Sequence, residues 1–291
     1  MKLLSAMTGY PWMITQQAHE TIASIVNRTN DIEAVRAAVG KPMQNSRSTE
    51  IRNGVAIIPV TGPIFRYANL FTELSGATST QMLSLDFNNA MKDTEIKAIL
   101  LDIDSPGGHA NGLVELMNMI ASARGFKPIK AYVGGQGASA AYGIASAADE
   151  IIVSESAIVG SIGTMMEFED RSEAEIRDGV KRVRIVSKVS PNKNRDPATE
   201  EGLGDLQKMA DTLGEVFVSA IARNRGVSSD HVLENYGQGG VFVGAESVSA
   251  GLADRLGSFE GVLAELSAGK MGKGGGTSAR QRQLNILKME E

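Results

Sequence analysis

Ile129-Lys130-Ala131-Tyr132-Val133-Gly134-Gly135-Gln136-Gly137-Ala138-Ser139-Ala140-Ala141-Tyr142-Gly143 passes from an apolar, β-branched run through a cluster of glycines into small, helix-forming residues. Residues 129–133 read as a buried strand, the glycines as a sharp turn, and the segment to about residue 148 as a helix. A strand that turns abruptly into a helix exposes the side chain at the junction, here the hydroxyl of Ser139. The small residues on either side leave room for another backbone to approach it. An Ala/Ser/Gly-rich helix packed tightly on a sheet has the same composition, so the stretch alone does not decide between chemistry and packing.

The neighbouring sequence repeats the pattern. Strands are predicted at 55–60, 96–103 and 150–153, with helices at 78–92 (through Met82, Leu83, Leu85, Phe87 and Met91) and 111–124 between them. The strand at 96–103 is apolar at nearly every residue, which implies burial on both faces. The alternation of strand and helix, joined by turns of a few residues, predicts an α/β fold with a mainly parallel sheet and flanking helices. Right-handed crossovers place the strand C-terminal ends on one edge. The turn Asp104-Ser105-Pro106-Gly107-Gly108 and the turn before Ser139 should therefore face one cleft.

Outside this unit the chain is less regular. Residues 1–50 read as an N-terminal arm, with helical spacing at 14–27 and 31–39 and with Trp12 beside Pro11 as a packing anchor. The main domain is expected at 51–268. Its later part carries the block Val159-Gly160-Ser161-Ile162-Gly163, a helix at 172–178, a basic strand at 182–187 and a long helix ending near Arg225. That long helix is expected to start at Asp196-Pro197, with the aspartate as cap and proline in the first turn. A strand, a turn and a helix follow at 241–256. Residues 269–291 read as a flexible glycine-rich linker and C-terminal tail.

Composition narrows the chemistry. The net charge is −5 with both signs intermixed, which gives no electrostatic footprint for nucleic acid or an anionic membrane. No window approaches the roughly 18–20 apolar residues of a membrane span, and the first residues lack the apolar core of a signal peptide; a cytoplasmic location is expected. There is no cysteine, so disulfides, thiolate metal sites and a cysteine nucleophile are absent. No metal or cofactor is expected. A serine nucleophile needs a base and donors for the oxyanion. Of the three histidines, His19 lies in the arm, His231 opens a C-terminal helix, and His109 follows the glycine turn but has no aspartate placed to orient it. The other source of a base is a desolvated lysine.

The blocks 101–108, 137–149 and 159–163, in that order, resemble the signal peptide peptidase A family of serine peptidases, which shares the Clp protease/crotonase-like fold. The resemblance spans about residues 54–265. It implies Ser139 as the nucleophile and a lysine base from the basic segment ahead of the long helix, with Lys193 first and Lys188 in reserve. It also implies Ser161 as a second serine holding the lysine amine, and an oxyanion hole from the backbone N–H groups of Gly107, Gly108 and Ala140. The soluble build, the arm and the tail look most like tailed-phage prohead proteases, which trim scaffold, capsid or portal proteins and often themselves inside proheads. A homo-oligomer is expected, with protein substrates as partners and neither nucleic acid nor membrane. The alternatives are a bacterial cytoplasmic signal-peptide-degrading peptidase, a crotonase-like thioester enzyme and a non-catalytic assembly protein.

Overall fold

The structure, a computed structural model, describes residues 11–20, 48–68, 77–168, 170, 172–181 and 183–269. Its strands are β1 (Trp12–Ile14), β2 (Glu50–Arg52), β3 (Val55–Thr61), β4 (Ile64–Phe65), β5 (Thr78–Ser79), β6 (Ala98–Ser105), β7 (Gly107–His109), β8 (Ile129–Ala138), β9 (Glu150–Val153), β10 (Ile158–Gly160), β11 (Val241–Val243) and β12 (Arg255–Leu256). The helices are α1 (Thr80–Lys92), α2 (Leu113–Ser122), α3 (Ala140–Ser146), α4 (Ser172–Arg177), α5 (Glu200–Arg225), α6 (Ser229–Asn235), α7 (Ala245–Ser249) and α8 (Phe259–Ser267).

The large sheet runs in the order β11-β10-β8-β6-β3-β2, with β9 also on β8 and β12 on β9. The pairings β3·β6, β6·β8, β8·β9 and β8·β10 are all parallel, as the strand–helix alternation requires. Side chains along β3 separate by parity. Ala56, Ile58 and Val60 enter the main core with α1, α2, α3 and α5, while Val55 and Ile57 meet Val262, Leu263 and Leu266 of α8 on the other face. The sheet is thus covered on both sides, which accounts for the unbroken apolar character of its central strands.

Several expectations change on folding. The strand expected at 129–133 continues through all three glycines to Ala138, because β10 pairs with Gln136, Gly137 and Ala138 and draws them into the sheet. The turn is compressed into Ser139 alone. In α1, Leu83, Phe87 and Ala90 face the core, whereas Met82 and Leu85 are 50% and 58% exposed. The basic strand expected at 182–187 does not form among its described residues; 183–190 is irregular and largely exposed. The long helix begins at Glu200 rather than Asp196. Thr199 Oγ1 accepts the Gly202 N–H at 3.1 Å, and the Asp196 carboxylate is used in a turn, accepting the Ala198 N–H at 3.0 Å. The helix expected over 14–27 has instead a strand at Trp12–Ile14 followed by helix at 16–20, with 21–27 outside the described residues. The helix expected at 31–39 and the tail beyond 269 also lie outside them.

A second, smaller sheet, β1-β7-β4-β5, stands at the edge where β6 ends. It brings a short stretch of the N-terminal region, with Trp12 and Met13 each 1% exposed, into the body of the molecule.

Candidate active site

Ser139 joins β8 to α3 with φ 53 and ψ −118, a conformation that costs a non-glycine residue about 1–3 kcal/mol. Its backbone is fixed on both sides. The Ser139 N–H donates to the Gly160 carbonyl at 2.7 Å, and the Ser139 carbonyl accepts the Gly143 N–H at 3.0 Å. The residue is 1% exposed, and among the described residues its Oγ has no hydrogen-bond partner. A buried hydroxyl without a partner is unfavourable in a purely structural role.

The far end of α3 is equally well anchored. Arg124 donates to the carbonyls of Ala147, Ser146 and Asn224, satisfying the last acceptors of the helix. Ser146 Oγ donates to the Gly143 carbonyl at 2.6 Å and accepts from Asn224 Nδ2 at 3.1 Å.

The two glycine loops meet as expected. A Cβ on Gly107 would lie 3.0 Å from the Cβ of Ser139 and 2.2 Å from the Met13 carbonyl, and Gly107 has φ 102, so only glycine fits there without strain. A Cβ on Gly108 would lie 1.9 Å from the Ile64 carbonyl of the adjacent β4. The expected oxyanion donors are not equivalent. The Gly107 N–H donates to Ser105 Oγ at 3.2 Å, and that hydroxyl itself donates to the Gly62 carbonyl at 2.7 Å. The Gly107 N–H is thus engaged within its own turn, while the Gly108 N–H faces β1, its antiparallel neighbour. Ser161 directly follows the carbonyl that holds Ser139, with φ 52 and its N–H on the Gly240 carbonyl at 2.6 Å. The loops are also tied by Asp104, whose Oδ1 accepts the Gln136 N–H at 3.0 Å. Sequence reasoning missed Ser105 and Asp104 as braces; their place inside the Asp-Ser-Pro-Gly-Gly turn was the available signal.

The titratable candidates lie elsewhere. His109 packs edge-on against Trp12 and Phe65, with centroids 4.2 and 5.1 Å away, and burial pushes its pKa down to about 4. It is an uncharged member of an aromatic cluster at neutral pH. Lys193 and Lys188 are both exposed, in turns of the irregular segment ahead of α5, and the structure does not bring either to Ser139. In that same segment Val183, Ile185 and Val189 are 73%, 92% and 90% exposed. Among the described residues no group of three or more acidic, histidine or cysteine side chains is arranged to hold a metal ion, and no helix is long and apolar enough to cross a membrane.

The sequence profile of peptidase family S49 matches residues 121–272, more than half of the chain and including Ser139, Ser161 and Lys193. The chain belongs to peptidase family S49. Among curated relatives, the head-tail preconnector protein GP5 of Enterobacteria phage P21 is 33% identical over 72% of this chain and 42% of its own length. The capsid assembly protease C of Escherichia phage lambda is 30% identical over 73% of this chain and 48% of its own. Protease 4 of Salmonella typhi is 27% identical over 72% of this chain and 34% of its own. The chain thus spans less than half the length of these relatives. Among solved structures, a mutant of the 1510-N membrane-bound stomatin-specific protease aligns over 75% of this chain and 86% of its own, at 14% identity and a TM-score of 0.47. Membership of S49 bears out the resemblance to the signal peptide peptidase A group.

Proposed function

We propose that this chain is a serine endopeptidase that trims scaffold, capsid or portal proteins, and itself, during phage head maturation inside proheads in the host cytoplasm. The observation that carries the chemistry is Ser139, held in a strained backbone conformation with a buried, unpartnered Oγ beside a glycine loop. The names of the two phage relatives support the biological setting.

In this reading Ser139 Oγ attacks the substrate carbonyl carbon while Lys193 Nζ removes the hydroxyl proton. The oxyanion is held by the N–H groups of Gly108 and Ala140. The C–N bond then breaks, Lys193 returns the proton to the leaving amine, and water attacks the Ser139 ester, passing its proton to Lys193, which hands it to the departing Ser139 Oγ as the new carboxyl end is released. Ser161 orients the lysine amine. Lys193 has to reach the cleft for this, and the exposed apolar side chains of Val183, Ile185 and Val189 support a different packing of its segment in the working enzyme. Association with further copies of the chain is part of the proposal.

A fluorophosphonate probe tests the nucleophile: wild-type protein should be labelled at Ser139 by mass mapping, and labelling that is absent or on another serine would end the peptidase reading. For the base, Lys193→Ala should abolish self-cleavage and Lys188→Ala should retain it; the reverse result transfers the role to Lys188.

A further inference from the structure

β1 occupies an unusual place. It is hydrogen-bonded along both edges and buried on both faces, with Trp12, Met13 and Ile14 at 1%, 1% and 4% exposure. On one edge it runs antiparallel to β7, pairing Trp12 with His109, Met13 with Gly108 and Ile14 with Gly107. The Thr15 N–H donates to the Pro106 carbonyl at 3.0 Å, and the Ala110 N–H donates to the Pro11 carbonyl at 3.2 Å. Bonded pairs in an antiparallel ladder alternate, so the pair between these two, Met13 and Gly108, is a bonded one. The Gly108 N–H, a candidate oxyanion donor, is therefore turned onto the Met13 carbonyl. On the other edge Trp12 exchanges both backbone hydrogen bonds with Met165, each 2.9 Å.

The same carbonyl lies next to the nucleophile. The Met13 oxygen and the Ser139 Cβ stand 2.2 and 3.0 Å from one point, the place a Gly107 side chain would fill. An extended segment, bonded on both edges, with a carbonyl against a serine and a glycine N–H, is how a peptide substrate adds to a sheet edge.

We propose that β1 is a built-in occupant of the substrate slot. Residues 11–15 lie as a substrate lies, with Met13 at the position whose carbonyl is attacked, and an incoming peptide must displace them. The slot then takes an extended segment with a long apolar residue at that position, since the Met13 side chain belongs to the main apolar core. The assignment rests on Ser139 being the nucleophile, but displacement itself does not need its hydroxyl.

Trp12 is the sole tryptophan of the chain and reports on β1 directly. The probe is a synthetic peptide with the sequence of residues 9–16 in which leucine replaces tryptophan. Titrated into the full chain carrying Ser139→Ala, which cannot cleave the probe, it should shift Trp12 emission to the red and saturate. Thr15→Pro removes the N–H bonded to Pro106 without touching the core, and should lower the midpoint about 2- to 10-fold. Two results overturn the proposal: a fluorescent copy of the peptide binds while Trp12 stays buried, or no binding occurs even with Thr15→Pro. Loss of fluorophosphonate labelling would strike the peptidase reading alone, because the Trp12 signal is read independently of it.

Discussion

Ser139 and Ser146 are both fully buried serines bordering or within α3, and replacing each by alanine should move stability in opposite directions. At Ser139 the Oγ has no partner among the described residues, so the folded state carries the desolvation cost of a hydroxyl without compensation, about 1–3 kcal/mol. Ser139→Ala removes that oxygen, keeps the Cβ against Gly107 and leaves both backbone hydrogen bonds in place. It should stabilise the protein by roughly 2 kcal/mol, which for a domain of this size raises Tm by about 4–8 °C, while abolishing labelling. At Ser146 the hydroxyl donates to Gly143 and accepts from Asn224. Ser146→Ala strands the Asn224 amide, which is 2% exposed, and should cost about 1–3 kcal/mol. Urea unfolding of the two variants beside wild type, followed by circular dichroism, gives both numbers. A Ser139→Ala protein no more stable than wild type would refute the reasoning that this hydroxyl is kept at the expense of folding.

Three further outcomes follow from the same geometry. Gly108→Ala drives a methyl group into the Ile64 backbone and shifts the N–H off its line, so fluorophosphonate labelling of Ser139 should slow by about 100- to 1,000-fold, read as a rate by mass spectrometry. Arg225 makes two bonds to the Asp254 carboxylate, 3.1 and 3.0 Å, with the side chains 8% and 14% exposed; Arg225→Ala takes this counter-charge from a buried carboxylate and should cost about 3–5 kcal/mol in urea unfolding. His109 titrates near pH 4 when folded and near 6.5 when unfolded. Between those values the unfolded chain binds the extra proton, so stability is full above about pH 6.5 and is lost as pH falls toward 4, by about 3 kcal/mol in all. His109→Phe should flatten the slope measured between pH 7 and 5.5.

Much of this arrangement is written locally in the sequence. The central strands are unbroken apolar runs bounded by turns, and each side chain on them has a helix to meet, so β3, β6 and β9 are recognisable from composition. The convergence of Gly107 and Ser139 follows from the handedness of the crossovers. Other features depend on partners distant in the chain. Gly134, Gly135 and Gly137 have the composition of a turn, but Gly137 pairs with Ser105 of β6 and Val159 of β10, which carries β8 on through the two glycines before it, where the β6 register shifts. Trp12, Met13 and Ile14 are too short a run to announce a strand, and form one because β7 and Met165 offer two bonding edges. Thr199 outcompetes Asp196 as a cap because the aspartate is already used by Ala198. The lysines carry no positional signal at all: a side chain on an exposed turn reads the same whether or not it later enters a cleft.

Arg124 gives the position of Ser139 an unexpected dependence. α3 is a strut of only seven residues, about 10 Å long, which starts directly after Ser139 and whose other end is clasped by a guanidinium that also grips the last turn of α5. Ser139 is thus surveyed from the far end of α3, against a benchmark fixed by Arg124 and the close of α5. Sequence drift along β1, β7 or the Met165 segment leaves that benchmark where it is, whereas a change at Arg124, Ser146 or Asn224 acts through α3 on the placing of the Ser139 hydroxyl itself.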